Sequence, residues 1–201
     1  MKRLLLATNN PNKVTEMKAL LAYLPLEVIT PDSLGINLVV EENGSSYLEN
    51  ALIKANAFHQ AAQLPTLADD SGLEVDALGG LPGVRSHRLL PDANATGHDR
   101  CLKLLELLQN KPRPWPAAFV SEVVLVHSDG KWVSAKGCCV GEIQPTFSGA
   151  NGFGYDPIFR LRGLNRTMAD LPDTEKNRVS HRARAIQALL PELLNFINSP
   201  D

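Results

Sequence analysis

Two stretches of this 201-residue chain combine residue types that handle phosphate and a hard cation. The first is Thr8, Asn9, Asn10, Pro11, Asn12 and Lys13, between an apolar run and a helix-patterned segment. Unsatisfied N–H groups and the positive end of a helix dipole make such a junction a natural anion site, and Lys13 adds a full charge on the first turn. The spacing departs from G-x-x-x-x-G-K-[ST], which argues against a P-loop nucleotidase. A well-capped surface helix with a solvated lysine describes the same residues. The second stretch is acidic. Glu41 and Glu42 precede Asn43 and Gly44, and Asp69 and Asp70 follow Thr66, Leu67 and Ala68, ahead of the turn residues Ser71 and Gly72. Carboxylates at a strand end beside a phosphate site suit Mg²⁺, which prefers oxygen ligands and keeps several waters. Neighbouring strand residues face opposite ways, so Asp69 and Asp70 need not share a proton. An Asx-type turn is the competing reading.

Three further groups stand out. Lys54 sits in an Ala- and Leu-rich helical pattern with Asn50 one turn before it, placed either to neutralise phosphate or on a solvated face. The loop Ser148 to Pro157 contains Gly149, Gly152, Phe153, Gly154, Tyr155 and Asp156. Its glycines permit close backbone approach, its aromatics offer a stacking face, and Asp156 can accept a hydrogen bond from a base or ribose. Lys176, Ser180, His181 and Arg182 gather where the last helix begins, a pattern that a cationic helix cap also explains.

The elements that must hold these residues alternate over the first 70 positions. Strand Lys2 to Ala7, helix Pro11 to Leu24, strand Glu27 to Ile29, helix Ser46 to Gln63 and strand Thr66 to Asp69 predict an α/β fold. Asn10 is the expected N-cap of the first helix, with Pro11 at N1 and Pro25 as its stop; Ser46 and Glu49 form the pattern of a capping box for the second. A helix over His98 to Gln109 and a hairpin of Ala118 to His127 with Trp132 to Val140 follow, so the sheet is expected to be mixed. Pro112, Pro114 and Pro116 are the candidate join between two lobes. Ser180 is the candidate cap of the last helix.

Composition bounds the partners. With 44% apolar and 21% charged residues and a formal charge of −2, the chain reads as an ordinary globular protein with no global electrostatic reason to bind nucleic acid or a membrane. Its apolar runs fall far short of the roughly 20 residues that span a bilayer. Cys101, Cys138 and Cys139 are odd in number and form no C-x-x-C, so reduced thiols and a cytoplasmic location are expected.

Taken in order, T-N-N-P-N-K (8 to 13), E-E-N-G (41 to 44), E-N-A-x-x-K-A (49 to 55), A-D-D-S-G-L (68 to 73), L-G-G-x-P-G (78 to 83), G-F-G-Y-D-P-I-F (152 to 159) and S-H-R (180 to 182) resemble the non-canonical purine nucleoside triphosphate pyrophosphatases. The resemblance covers nearly the whole chain as one domain, 1–201. It implies an elongated mixed sheet flanked by helices, two lobes with a substrate cleft between them, Mg²⁺ dependence, a homodimer, and hydrolysis of ITP, dITP and XTP to monophosphate and pyrophosphate. By matching position, Thr8 to Lys13, Lys54 and Lys176 are implied as triphosphate contacts and Ser71 as a substrate contact. Asp70 is implied as the catalytic acid that holds Mg²⁺ and activates water. Glu42 is implied as the further metal-associated carboxylate, with Glu41 second in line. Phe153, Gly154, Tyr155 and Asp156 resemble the base and sugar pocket, and His181 with Arg182 the purine-reading pair. Asn9 stands where many members have Gly, Asn43 replaces a common Thr, and Leu89 and Leu90 lack an aromatic often seen there. A related pyrophosphatase acting on pyrimidine triphosphates and a nucleotide-binding regulator without turnover are the rival readings; G-F-G-Y-D-P and S-H-R oppose the first, and the paired carboxylates oppose the second.

Overall fold

Strand and helix alternate at the start of the chain as the apolar spacing predicts. The structure, a computed structural model, describes residues 1–92 and 94–199. Its main elements are β1 (Lys2–Leu6), α1 (Pro11–Leu21), β2 (Leu26–Ile29), α2 (Tyr47–Ala62), β3 (Thr66–Val75), β4 (Pro82–Gly83), α3 (Gly97–Leu108), β5 (Trp115–Val126), β6 (Trp132–Ile143), β7 (Phe159–Leu161), α4 (Asp173–Val179) and α5 (His181–Asn198). One seven-stranded sheet runs β2-β1-β3-β5-β6-β7, with β4 paired to β3. β1 is parallel to β2 and β3, whereas β3–β4 and β6–β7 are antiparallel. Residues 127–131 are too few for the crossover that a parallel pair requires, so β5 and β6 form the expected antiparallel hairpin. The sheet is therefore mixed.

The chain divides into two units. Unit 1 takes the residues up to Asp70, Ser121–Gly137, and the chain from Arg182 onward; unit 2 takes Ser71–Val120 and Cys138–His181. Alternation along β1 gives unit 1 two apolar layers. Leu4 and Leu6 pack with Met17 and Leu21 of α1 and with Ile186, Leu189 and Leu193 of α5, while Leu5 and Ala7 pack with Ala51, Ala55 and Phe58 of α2. A parallel sheet covered on both faces needs such a continuously apolar strand. In unit 2, Leu73, Leu104, Trp115, Phe119, Cys139, Phe159 and Met168 share a single core.

Several boundaries differ from the sequence reading. The chain changes units within β3, β5 and β6 and after the first residue of α5, not at Pro112 to Pro116, and Pro116 lies inside β5. β3 does not stop at Asp69. Ser71 and Gly72 carry turn residue types, yet the backbone stays extended because the carboxylates of Asp69 and Asp70 bond other side chains and not a local turn. α1 ends at Leu21, three residues before Leu24, although Leu24 remains buried. In α2, Ser46 caps as expected, but the Glu49 carboxylate accepts from Ser45 N at 2.6 Å, one residue earlier than a capping box requires. Ser180 directly precedes α5, at the position expected of its cap, and also closes α4, its N–H donating to the Lys176 carbonyl; Lys176 itself lies in this short extra helix.

Candidate active site

In unit 1 the β1–α1 junction is preformed. The Asn10 side chain accepts from the N–H groups of Asn12 at 3.0 Å and Lys13 at 3.3 Å, Thr8 Oγ1 accepts from Asn10 N at 3.2 Å, and Asn9 Nδ2 donates to the Leu38 carbonyl at 2.9 Å. Pro11 has no N–H to offer. The expectation that this turn presents unsatisfied N–H groups is thereby corrected, because Asn10 consumes two of them in capping the helix. What the turn aims is the ammonium group of Lys13.

That ammonium meets Asp69. Lys13 Nζ lies 3.3 Å from Asp69 Oδ1, Arg182 Nε donates to Asp69 Oδ2 at 3.2 Å, and Arg182 also pairs with Glu16 on α1. Burial pushes the Asp69 carboxyl upward, but Lys13, Arg182 and Lys54 more than offset it and hold the group well below the usual carboxylate range. For Lys13 burial wins, lowering its pKa against the raising pull of Asp69. Asp70 points to the other face of β3, where Asn50 Nδ2 donates to its Oδ2 at 3.1 Å and Asn50 Oδ1 accepts from Gly44 N at 2.8 Å. One amide thus ties the 41–44 segment to Asp70. Glu42 is joined to the ammonium of Lys54 at 2.7 Å. Burial raises the Asp70 pKa, the charges of Lys54 and Lys13 oppose the rise, and Glu42 adds to it.

Unit 2 brings together a different set. Lys176 Nζ donates to Asp156 Oδ2 at 2.6 Å and stands 4.8 Å from the centre of the Phe153 ring. The same carboxylate oxygen accepts from Phe153 N at 2.9 Å, closing the loop on itself. Gly152 is required here: at φ +72, a Cβ would come within 2.1 Å of Asp156 Oδ2. Tyr155 is buried, and its hydroxyl donates to the Ser86 carbonyl at 2.8 Å. The His181 ring stacks on Phe119, with centroids 4.8 Å apart and planes 14° from parallel. Ser71 is half-buried on β3.

The grouping departs from the sequence reading in two places. Lys176, placed there with the triphosphate lysines, bonds the Asp156 carboxylate in unit 2, whereas Lys13 and Lys54 bond carboxylates of unit 1. His181 and Arg182, taken there as one pair, engage Phe119 in one unit and Asp69 with Glu16 in the other. Asp69, Asn50, Glu16 and Phe119 join these clusters without having been assigned a role. Strand alternation signals Asp69 and the four-residue step to Lys54 signals Asn50; nothing local signals Glu16 or Phe119.

Among the described residues no three His, Cys, Asp or Glu side chains form a closed metal cage. The donor set of Asp70 and Glu42 fits Mg²⁺ nonetheless, since this ion takes one or two carboxylates and fills its remaining positions with water and phosphate oxygens.

Comparison with known proteins agrees with this assembly of motifs. The sequence model of the Ham1 family matches residues 4–192. The dITP/XTP pyrophosphatase of Caldanaerobacter subterraneus subsp. tengcongensis is 40% identical over 195 residues, covering 96% of this chain and 97% of that protein. The dITP/XTP pyrophosphatase of Thermus thermophilus is 43% identical over 189 residues, covering 94% and 90%. Among solved structures, a HAM1 protein from Coxiella burnetii superposes with a TM-score of 0.87 at 38% identity, covering 97% of this chain and all of that one. A family match over most of the sequence, relatives near 40% identity and the same fold together establish that the chain belongs to the Ham1 family.

Proposed function

We propose that this protein hydrolyses non-canonical purine nucleoside triphosphates, ITP, dITP and XTP, to the monophosphate and pyrophosphate, clearing such bases from the nucleotide pool. The observation that carries the reading is Asp70, a buried carboxylate fixed by Asn50 on the strand whose opposite face engages Lys13. In this reading Thr8 to Lys13 and Lys54 take the triphosphate, and Asp70 orients the attacking water and accepts its proton. An unperturbed Asp is a weak base at neutral pH, and burial moves Asp70 toward a more useful range. Asp70 and Glu42 would hold Mg²⁺. Bound there, the ion supplies positive charge where the leaving pyrophosphate becomes more negative.

Phe153, Gly154, Tyr155, Asp156, Ser71 and His181 are assigned to the base and sugar. Lys176 joins them, because its ammonium stands over the Phe153 ring and bonds Asp156. A donor at the purine 6-position favours the oxo group of hypoxanthine and xanthine over the amino group of adenine. Arg182, held by Asp69 and Glu16, sets the position of Asp69. Residues 1–201 act as one functional domain in this reading, as a cytoplasmic homodimer without nucleic-acid or membrane partners; no helix among the described residues is long and apolar enough to cross a membrane. Purified protein with Mg²⁺ should release pyrophosphate from ITP, dITP and XTP. Orthophosphate as the sole inorganic product would overturn the assignment of the cleaved bond.

A further inference from the structure

We infer that the first turn of α3 is a positioning element for base selectivity, acting through Gly97 and Cys101 on the Phe153 to Asp156 loop. The inference rests on the reading that this loop meets the purine. A capping box fixes where α3 begins: Thr96 N and Oγ1 donate to Asp99 Oδ2 at 2.8 and 2.7 Å, and Asp99 N donates back to Thr96 Oγ1 at 3.2 Å. Gly97 and Cys101, four residues apart, therefore share one helix face. Both touch Gly154. The buried Cys101 thiol donates to the Gly154 carbonyl at 3.3 Å. A Cβ on Gly97 would stand 3.1 Å from Gly154 N and 3.2 Å from its Cα and O, tighter than an ordinary contact.

Gly154 holds φ +64, a conformation that glycine adopts at little cost, within a turn closed by Phe153 N to Asp156 Oδ2 and by Asp156 N to the Phe153 carbonyl. The helix turn supports it from outside, by lying close behind the peptide and by bonding its carbonyl. Burial pushes the Cys101 thiol up to about 12, so it stays protonated and remains a donor. The same turn also carries His98, whose ring lies 4.6 Å from that of Phe147, just ahead of the glycine loop. Telling a 6-oxo from a 6-amino purine depends on where hydrogen-bonding groups stand to within about half an ångström. A turn that sets the Gly154 peptide sets those groups.

The test compares kcat/KM for ITP and ATP in Gly97→Ala, Cys101→Ala, Cys101→Ser and Phe153→Ala, each with its melting temperature. Gly97→Ala must displace Gly154, and the ITP-to-ATP ratio should fall about tenfold, the scale of a sub-ångström misplacement. Cys101→Ala, losing a weak donor, should lower the ratio about threefold. Cys101→Ser keeps a donor at the same place and should restore the wild-type ratio. Should Gly97→Ala fail to fold, the two Cys101 variants decide. Unchanged ratios in Gly97→Ala and Cys101→Ala, or equal proportional losses on ITP and ATP in them, overturn the inference if Phe153→Ala compresses the ratio. A wild-type ratio in Phe153→Ala overturns instead the reading that the loop meets the base, and this inference falls with it.

Discussion

In unit 1 the candidate site is held by opposed charges drawn from distant parts of the chain: Lys13 and Glu16 of α1, Glu42, Lys54 of α2, Asp69 of β3 and Arg182 of α5. In unit 2 the corresponding loop is held mainly by main-chain groups, with Tyr155 bonded to the Ser86 carbonyl, Cys101 to the Gly154 carbonyl, and Asp156 to Phe153 N. The contrast fits the roles proposed above for each. A triphosphate and a cation are met by charge, which tolerates small displacements, whereas a purine edge is met by directional hydrogen bonds, which do not. Changes in unit 1 should therefore alter turnover for all triphosphates alike, and changes in unit 2 should alter their ranking.

The largest effect belongs to Asp70. Asp70→Asn keeps the shape and removes the charge, and kcat should fall by about 10² to 10⁴, the scale of a positioned acid or base. Chelation of Mg²⁺ with EDTA should likewise abolish pyrophosphate release. A folded Asp70→Asn protein that keeps most of its activity would move the role to Asp69 or Glu42. Next comes Asp69→Asn, which strands Arg182 and Lys13 without their shared carboxylate and should cost about 3 to 5 kcal/mol in urea unfolding. Because the folded-state pKa of Asp69 is depressed, its contribution is fully present above the unfolded value of about 3.9 and is lost as pH falls through the folded value. The stability gap between wild type and variant should hold through neutral pH and close only in strong acid. A gap that closes near neutrality would remove Asp69 from the ion cluster.

Smaller losses discriminate between the units more sharply. Lys13→Ala and Lys54→Ala each lose a charge-assisted bond of about 1.5 to 3 kcal/mol. kcat/KM should fall by about one to two decades, by the same factor on ITP and ATP. Lys176→Ala should instead lower ITP turnover more than ATP turnover; equal factors would return Lys176 to the triphosphate. The smallest change is Tyr155→Phe, which loses the bond to Ser86 and should cost about 1 kcal/mol in thermal unfolding.

Much of unit 1 was legible in the sequence because helix caps, strand alternation and carboxylate placement are local. Asn10, Pro11 and Ser46 mark their helices correctly, and the step from Asp69 to Asp70 already separates two faces. What stayed hidden is long-range. Nothing near Glu16 reveals that Arg182, at the far end of the chain, pairs with it. The Asp-Asp-Ser-Gly run looks like a turn until Lys13, Arg182 and Asn50 are seen to take the carboxylates that would have closed it. Adjacency is silent for the same reason: His181 stacks on Phe119 while Arg182 pairs with Asp69 and Glu16. Gly97 gave no signal, since its role is the space it leaves for Gly154.

The division of the chain also sets an order of assembly. Unit 2 has its last segment once His181 has been synthesised, whereas unit 1 joins β1 to α5 and needs Ile186, Leu189 and Leu193 to cover Leu4 and Leu6. α1 supplies part of that cover through Met17 and Leu21, and β1 therefore waits for α5 to complete it. A chain halted before α5 would leave this face of β1 only half covered.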